Sequence, residues 1–237
     1  MARKRTYRSF THREAAFRIC CNNFDCVTAE IVRQRRILEH YIDRHPAFAH
    51  SLEPVELLDG APEVARRMAR AADLVGVGPM AAVAGAMAQC AAEAAVAAAM
   101  AQSDHDSEVI VENGGDIYLC VREPVVIGLS AGTSELAGRL AFSLEAADTP
   151  ISICSSSGKM GHSVSFGRCD LATVVAKDAA LADAAATMAA NLVKTADDVN
   201  NALESIAAIK GIDGAMIVVN DHVGLAGRLP KLVKTQS

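Results

Sequence analysis

The segment from Pro79 to Ala101 runs for 23 residues with only Gln89 and Glu93 as strongly polar members. A helix that is apolar all round has no face to offer water, so it either crosses a bilayer or sits inside a folded core. Three features favour the core. Most of its residues are Ala, Glu93 lies well inside it, and its flanks lack basic anchors. A chain of 237 residues that is 51% hydrophobic carries enough further apolar side chains to surround such a rod. Aromatic residues are only 4% and Trp is absent, so the core is built from Ala, Val, Leu, Ile and Met. Small side chains let helices and sheets approach closely, and they leave little on which a base could stack, which argues against a nucleic-acid platform.

The net charge is −5, but Arg3, Lys4, Arg5, Arg8, Arg13 and Arg18 crowd the N-terminal end. A basic arm of this kind suits nucleic acid or acidic lipid. A solvated tail leading into an edge strand explains it more simply. Residues Tyr7 to Arg18 alternate rather than forming an apolar run, so no signal peptide is expected and the protein is read as cytoplasmic. The seven cysteines contain no C-x-x-C pair; Cys20, Cys21 and Cys26 cluster without a second group to complete a zinc site. They read as reduced, mostly buried thiols.

The spacing predicts a hairpin over 5–27, with strands Arg5 to Thr11 and Ala16 to Cys21. A helix follows over 28–44, with Thr28 as its N-cap and Ile31, Ile37, Leu38, Tyr41 and Ile42 at helical spacing. Pro46 and Pro54 bound a loop, and a short helix covers 62–73. Past the long apolar helix, Ser103 to Ser107 reads as an exposed acidic loop, with His105 as a weaker metal-ligand candidate. Strands are expected at Val109 to Glu112, Ile117 to Val121, 124–129, Ile151 to Ser155, His162 to Phe166, Leu171 to Ala176 and Ala215 to Val219. Two further helices are expected, from Asp178 to about Lys194 and from Asp197 to Ile209. Strands joined by tight turns with long Ala-rich helices predict an α+β fold with mixed or antiparallel sheets, as one domain over 1–237 with two lobes sharing a cleft. A homodimer is expected.

Four segments carry chemistry. The helix from Ala179 to Leu192 reads AALADAAATMAANL, and its polar side chains Asp183, Thr187 and Asn191 fall at i, i+4 and i+8. That spacing places them in one stripe, with Leu181, Met188 and Leu192 facing a core on the other side. If the stripe is buried, a carboxylate and a hydroxyl one turn apart suit Mg²⁺ or Ca²⁺; if not, it is a plain solvated face. Gly76-Val77-Gly78-Pro79 opens the long helix, either as a tight turn or as backbone N–H groups for a phosphate. Asn113-Gly114-Gly115-Asp116 is hairpin chemistry, or a bare backbone edge for a ring or ribose with Asp116 as acceptor. Ser155 to His162, with Ser157, Gly158 and Lys159, offers phosphate donors or a solvated loop, and the absence of a G-x-S-x-G elbow argues against a hydrolase triad.

In this order the four segments resemble the ApbE-like flavin transferase superfamily. The matching stretches are Gly78 to Gly85, Gly114-Gly115-Asp116, Ser157-Gly158 with His162, and Ala182-Asp183 with Thr187, together spanning residues 76–193. The N-terminal hairpin, its helix and Arg44-His45-Pro46-Ala47-Phe48 are similar to the cytosolic branch of that superfamily. The resemblance implies FAD between two lobes, its pyrophosphate beside Mg²⁺ held by Asp183, Thr187 and a backbone carbonyl near the glycine turn. It further implies Gly76, Gly78, Asn113, Gly114, Gly115, Asp116, Ser157, Gly158 and His162 as cofactor-binding. The implied chemistry is FMN transfer to a protein Thr or Ser, or FAD hydrolysis. The alternative is a flavin- or nucleotide-binding protein without chemistry. The chain departs from the pattern at Ala84, where the family has Lys, at Ser165-Phe166, where it has Asp-Pro, and at Asn113, where it has Leu.

Overall fold

The computed structural model describes residues 5–104, 106–129, 140–158, 168–220 and 222–234. Its elements run β1 (Arg8–His12), β2 (Ala15–Cys21), α1 (Phe24–Arg44), α2 (Ala47–His50), α3 (Glu63–Val75) and α4 (Val83–Ala101). There follow β3 (Val109–Asn113), β4 (Asp116–Cys120), β5 (Val125–Leu129), β6 (Leu140–Leu144) and β7 (Ile151–Ser156). The chain continues through β8 (Leu171–Ala176), α5 (Ala179–Leu192), α6 (Val199–Ala207), β9 (Ile212–Val219), β10 (His222–Gly227) and β11 (Lys231–Lys234). Eight strands form one sheet in the order β1-β2-β3-β4-β7-β8-β9-β10, and a second sheet runs β11-β6-β5. Every strand pair is antiparallel.

The pleat decides what each face touches. In β3, Val109 and Val111 point into a core shared with the helices, while Ile110 points into a second core shared with the small sheet. In β9, Ile217 and Val219 go to the helices and Met216 and Val218 to the small sheet. The large sheet is therefore apolar on both faces and sits between two layers. α4 lies on β3 and β4, α5 lies on β7 and β8, and α4 packs against both α1 and α5. The 23-residue stretch Pro79–Ala101 is long and apolar enough to cross a membrane, with mean hydropathy 1.4 in its most apolar window. Its Ala face is used instead as a packing surface inside the molecule: Ala86, Ala88, Ala91, Ala92 and Ala95 are all buried.

Several sequence expectations shift. α1 begins at Phe24, and Thr28 is not its cap: the Thr28 hydroxyl donates to the Asp25 carbonyl within the first turn. The Arg8 guanidinium lies 3.8 Å from the Phe24 ring centroid, which ties this earlier start to β1. The basic arm is largely absorbed. Arg5 forms a bidentate pair with Glu108 at 3.0 and 2.9 Å and donates to the Glu123 and Pro124 carbonyls. Arg18 sits over Tyr7, and Arg13 pairs with Glu39. β6, β10 and β11 were not legible: β10 carries two glycines, which weaken a strand pattern, and β11 is four residues long. The expected strand His162 to Phe166, together with Lys159, His162 and His105, lies outside the described residues.

Candidate functional site

The start of α4 is set by three close approaches. Gly76 closes α3 in the left-handed conformation at φ +82°, its N–H bonded to Ala72 O at 2.7 Å. At Gly78 a Cβ would fall on the Ser51 carbonyl, and Pro79 then starts a short 3₁₀ turn. At Gly85, inside the first turn of α4, a Cβ would collide with the Ala179 carbonyl and lie 2.9 Å from Asp183 Cβ. Only a residue without a side chain lets α4 and α5 cross this closely.

That crossing lets each helix satisfy the other's N-terminus. Asp183 Oδ2 on α5 accepts from the Gly85 N–H at 2.8 Å, one of the orphan donors of α4. Gln89 Oε1 on α4 accepts from the Ala179 N–H at 2.7 Å, at the start of α5, where Asp178 also caps through the Leu181 N–H. The β3–β4 turn joins from the side. Gly114 and Gly115 adopt φ of +65° and +111°, as a tight hairpin requires. Asn113 Nδ2 donates to the Ala84 carbonyl at 3.2 Å, and Asp116 Oδ1 accepts from the Ser155 N–H at 3.3 Å.

Two of the three stripe members on α5 are buried, Asp183 at 8% and Thr187 at 9% exposure, while Asn191 is half-buried. The solvated-face reading of this stripe is therefore set aside. On the opposite side, Leu181 is buried as expected, but Leu192, the last residue of α5, is 38% exposed. Burial raises Asp116 to about 7, opposed by the Cys154 thiol and the Ser155 N–H. Burial, then the Asp116 charge, pushes Asp183 well above the usual carboxylate range, against the Gly85 and Ala84 N–H groups. The Cys154 thiol, wholly enclosed and donating to Ala179 O at 3.5 Å, is pushed up by burial and by both carboxylates, so it is an inert S–H. Among the described residues neither carboxylate has a Lys, Arg or His partner. Two buried acids that raise each other's proton affinity, with no cationic partner among the described residues, hold a proton or bind a cation.

The structure thus brings together Asn113, Gly115, Asp116, Ser155 and Asp183 around the first turn of α4. Gly76 and Gly78 sit earlier on the path and have packing reasons of their own. Ser157 is half-buried, and Gly158 is held by its N–H to Cys169 O at 3.0 Å. Gly85, Gln89 and Cys154 were not among the sequence candidates. A signal for Gly85 existed: glycine inside an Ala-rich helix costs about 1 kcal/mol relative to Ala and so marks a packing requirement. Among the described residues no group of three or more His, Cys, Asp or Glu side chains is arranged to hold a metal.

Among the solved proteins with this fold are ApbE proteins. The flavin transferase ApbE from Vibrio cholerae superposes with TM-score 0.56 at 13% identity, covering 98% of this chain and 97% of that one. The ApbE protein from Thermotoga maritima gives TM-score 0.61 at 12% identity, covering 93% and 96%. At such identity the likeness is one of fold. The family described as AbpE bacteria matches residues 21–225, and the chain belongs to it. Curated relatives include UPF0280 protein MJ1526 of Methanocaldococcus jannaschii, 44% identical over 210 residues and covering 86% of this chain and 82% of that protein. UPF0280 protein MK0206 of Methanopyrus kandleri is 44% identical over 205 residues, covering 84% and 80%.

Proposed function

We propose that this protein binds FAD or a related dinucleotide with Mg²⁺ at the crossing of α4 and α5, and cleaves its pyrophosphate by flavin transfer or hydrolysis. The observation that carries this reading is the buried Asp183 carboxylate, set against the Gly85 N–H and the charge of Asp116 with no cationic partner among the described residues. The donor set fits Mg²⁺, which takes hard oxygen ligands from one or two carboxylates and fills its remaining positions with waters and substrate phosphates. Asp183 and the Thr187 hydroxyl, one turn apart on α5, would hold the ion. When bound, Mg²⁺ supplies neutralisation of the charge that builds on the pyrophosphate oxygens.

The chain's own residues do the rest. Gly114 and Gly115 form a side-chain-free edge where a ring can lie, while the Asn113 amide fixes the first turn of α4 through the Ala84 carbonyl. Asp116 is held by the Ser155 N–H and its charge reaches Asp183, so it would serve as an acceptor for a sugar hydroxyl. Ser157, Gly158 and His162 complete the phosphate side in this reading, with Gly76 and Gly78 setting the path into α4. All seven cysteines are free thiols, which suits a cytoplasmic, reducing setting.

Incubation of the purified protein with FAD and Mg²⁺ is expected to release FMN and AMP, or AMP with flavin attached to protein, and Asp183→Ala to abolish both. Absence of turnover with every flavin dinucleotide tried overturns the enzymatic reading. Ala84, at the position where ApbE proteins have Lys, favours a second reading in which the site holds a flavin nucleotide without chemistry. That reading predicts thermal stabilisation by FAD with no products.

A further inference from the structure

On the outer side of α1, away from the crossing of α4 and α5, lies a cavity of about 400 Å³. Its walls include Arg36, His40 and Arg44 from α1 and Gly60 from the loop before α3, with Ile37 and Tyr41 beneath. None of these residues belongs to the Asp183 cluster. The size falls in the range of about 300–1,000 Å³ typical of small-molecule sites and far exceeds the ~30 Å³ share of one water.

Three observations say what the cavity suits. First, Arg36, His40 and Arg44 follow one another at i, i+4 and i+8, so they stand in one row, their outer Cα atoms about 12 Å apart. Second, Arg33, Arg35, Arg66 and Arg67 on these helices pair with acids: Arg33 with Glu30, Arg35 with Glu39 and Glu14, Arg66 and Arg67 with Glu63. Among the described residues no ion pair engages Arg36 or Arg44, and the nearby Glu39 is taken by Arg13 and Arg35. The row is a local excess of positive charge on an acidic protein. Third, the floor is apolar and fixed. Tyr41 is 2% exposed, its hydroxyl accepts from the Leu58 N–H at 3.0 Å, and its ring packs edge-on against Phe48 at 5.2 Å. The His45 ring pairs with the Glu56 carbonyl at 2.9 Å, so the loop that forms the rim is pinned to α1 at two points.

We propose that this cavity is a second binding site, for a small amphipathic oxyanion: a phosphate or carboxylate group on an apolar body. Arg36 and Arg44 grip the oxyanion through their planar donor forks, His40 lies between them, and the body rests on Ile37 and Tyr41. A bare inorganic ion leaves that floor uncovered, and a neutral aromatic leaves the guanidiniums unused. The site stands independently of the flavin reading, since it shares no residue with it.

Calorimetric titration tests this with phenyl phosphate, benzoate, inorganic phosphate and phenol on the full chain. Phenyl phosphate or benzoate is expected to bind, the stronger of the two identifying the head group, with inorganic phosphate and phenol each weaker by about tenfold or more. The double variant Arg36→Gln, Arg44→Gln changes only exposed side chains and should fold normally, yet lose about tenfold or more in affinity. Asp183→Asn should bind phenyl phosphate as the wild type does, which separates this site from the proposed nucleotide site. Unchanged binding by the arginine double variant, equal binding of phenol, or no binding of either organic anion overturns the proposal.

Discussion

Replacing Gly85 by alanine sets two large effects against each other. Alanine is the better helix former by about 1 kcal/mol, and on propensity alone the substitution stabilises α4. The added methyl, however, meets the Ala179 carbonyl and lies 2.9 Å from Asp183 Cβ. The obstacle is backbone of a buried helix, so no side-chain rotation relieves it, and the overpacking cost sits at the upper end of about 1–3 kcal/mol. Moving the helices apart also stretches the 2.8 Å bond from the Gly85 N–H to Asp183, and an intramolecular hydrogen bond contributes about 0.5–1.5 kcal/mol. The net expectation is a destabilisation of about 2–4 kcal/mol, or roughly 5–15 °C in Tm for a chain of this size. Urea and thermal unfolding of Gly85→Ala measure it, with Gly128→Ala as control, since a Cβ there meets nothing within 4 Å. A Gly85→Ala protein as stable as the wild type, or more so, would refute the close-crossing account and with it the placement of Asp183.

Other outcomes follow from the same geometry. Arg5→Ala leaves Glu108 buried without its cation, and should cost about 3–5 kcal/mol in urea unfolding. Glu108 resists the upward push of burial because Arg5 and the Arg122 and Glu123 N–H groups hold its pKa below the ordinary value. With the folded pKa depressed, its contribution is complete above the unfolded pKa and is lost as pH falls through the folded value. Stability of the wild type should therefore drop more steeply below about pH 4.3 than that of Arg5→Ala. Gln89→Leu strands the Ala179 N–H and should cost about 1–3 kcal/mol, read by thermal unfolding.

The fold was legible where local chemistry and tertiary role agree. The apolar rod Pro79–Ala101 and the Ala179–Leu192 helix announced a helical layer through composition, and Asn113-Gly114-Gly115-Asp116 announced its hairpin through turn chemistry. Asp183 and Thr187 stood out because two polar groups at i, i+4 interrupt an alanine sequence. What stayed hidden depends on the path of distant segments. No local pattern tells that Gly85 faces Ala179, that Cys154 lies beside both acids, or that Arg5 reaches Glu108 across 103 positions. The small sheet escaped because β6 and β11 are short and lie far apart in sequence, joined only by pairing.

The central claim is that Asp183 couples a divalent cation to nucleotide binding. Asp183→Asn isolates it, because the amide oxygen still accepts from the Gly85 N–H while the negative charge is gone. FAD affinity measured by fluorescence with and without Mg²⁺ should rise with the ion in the wild type and show no such rise in Asp183→Asn. An equal Mg²⁺ effect in both proteins contradicts the account.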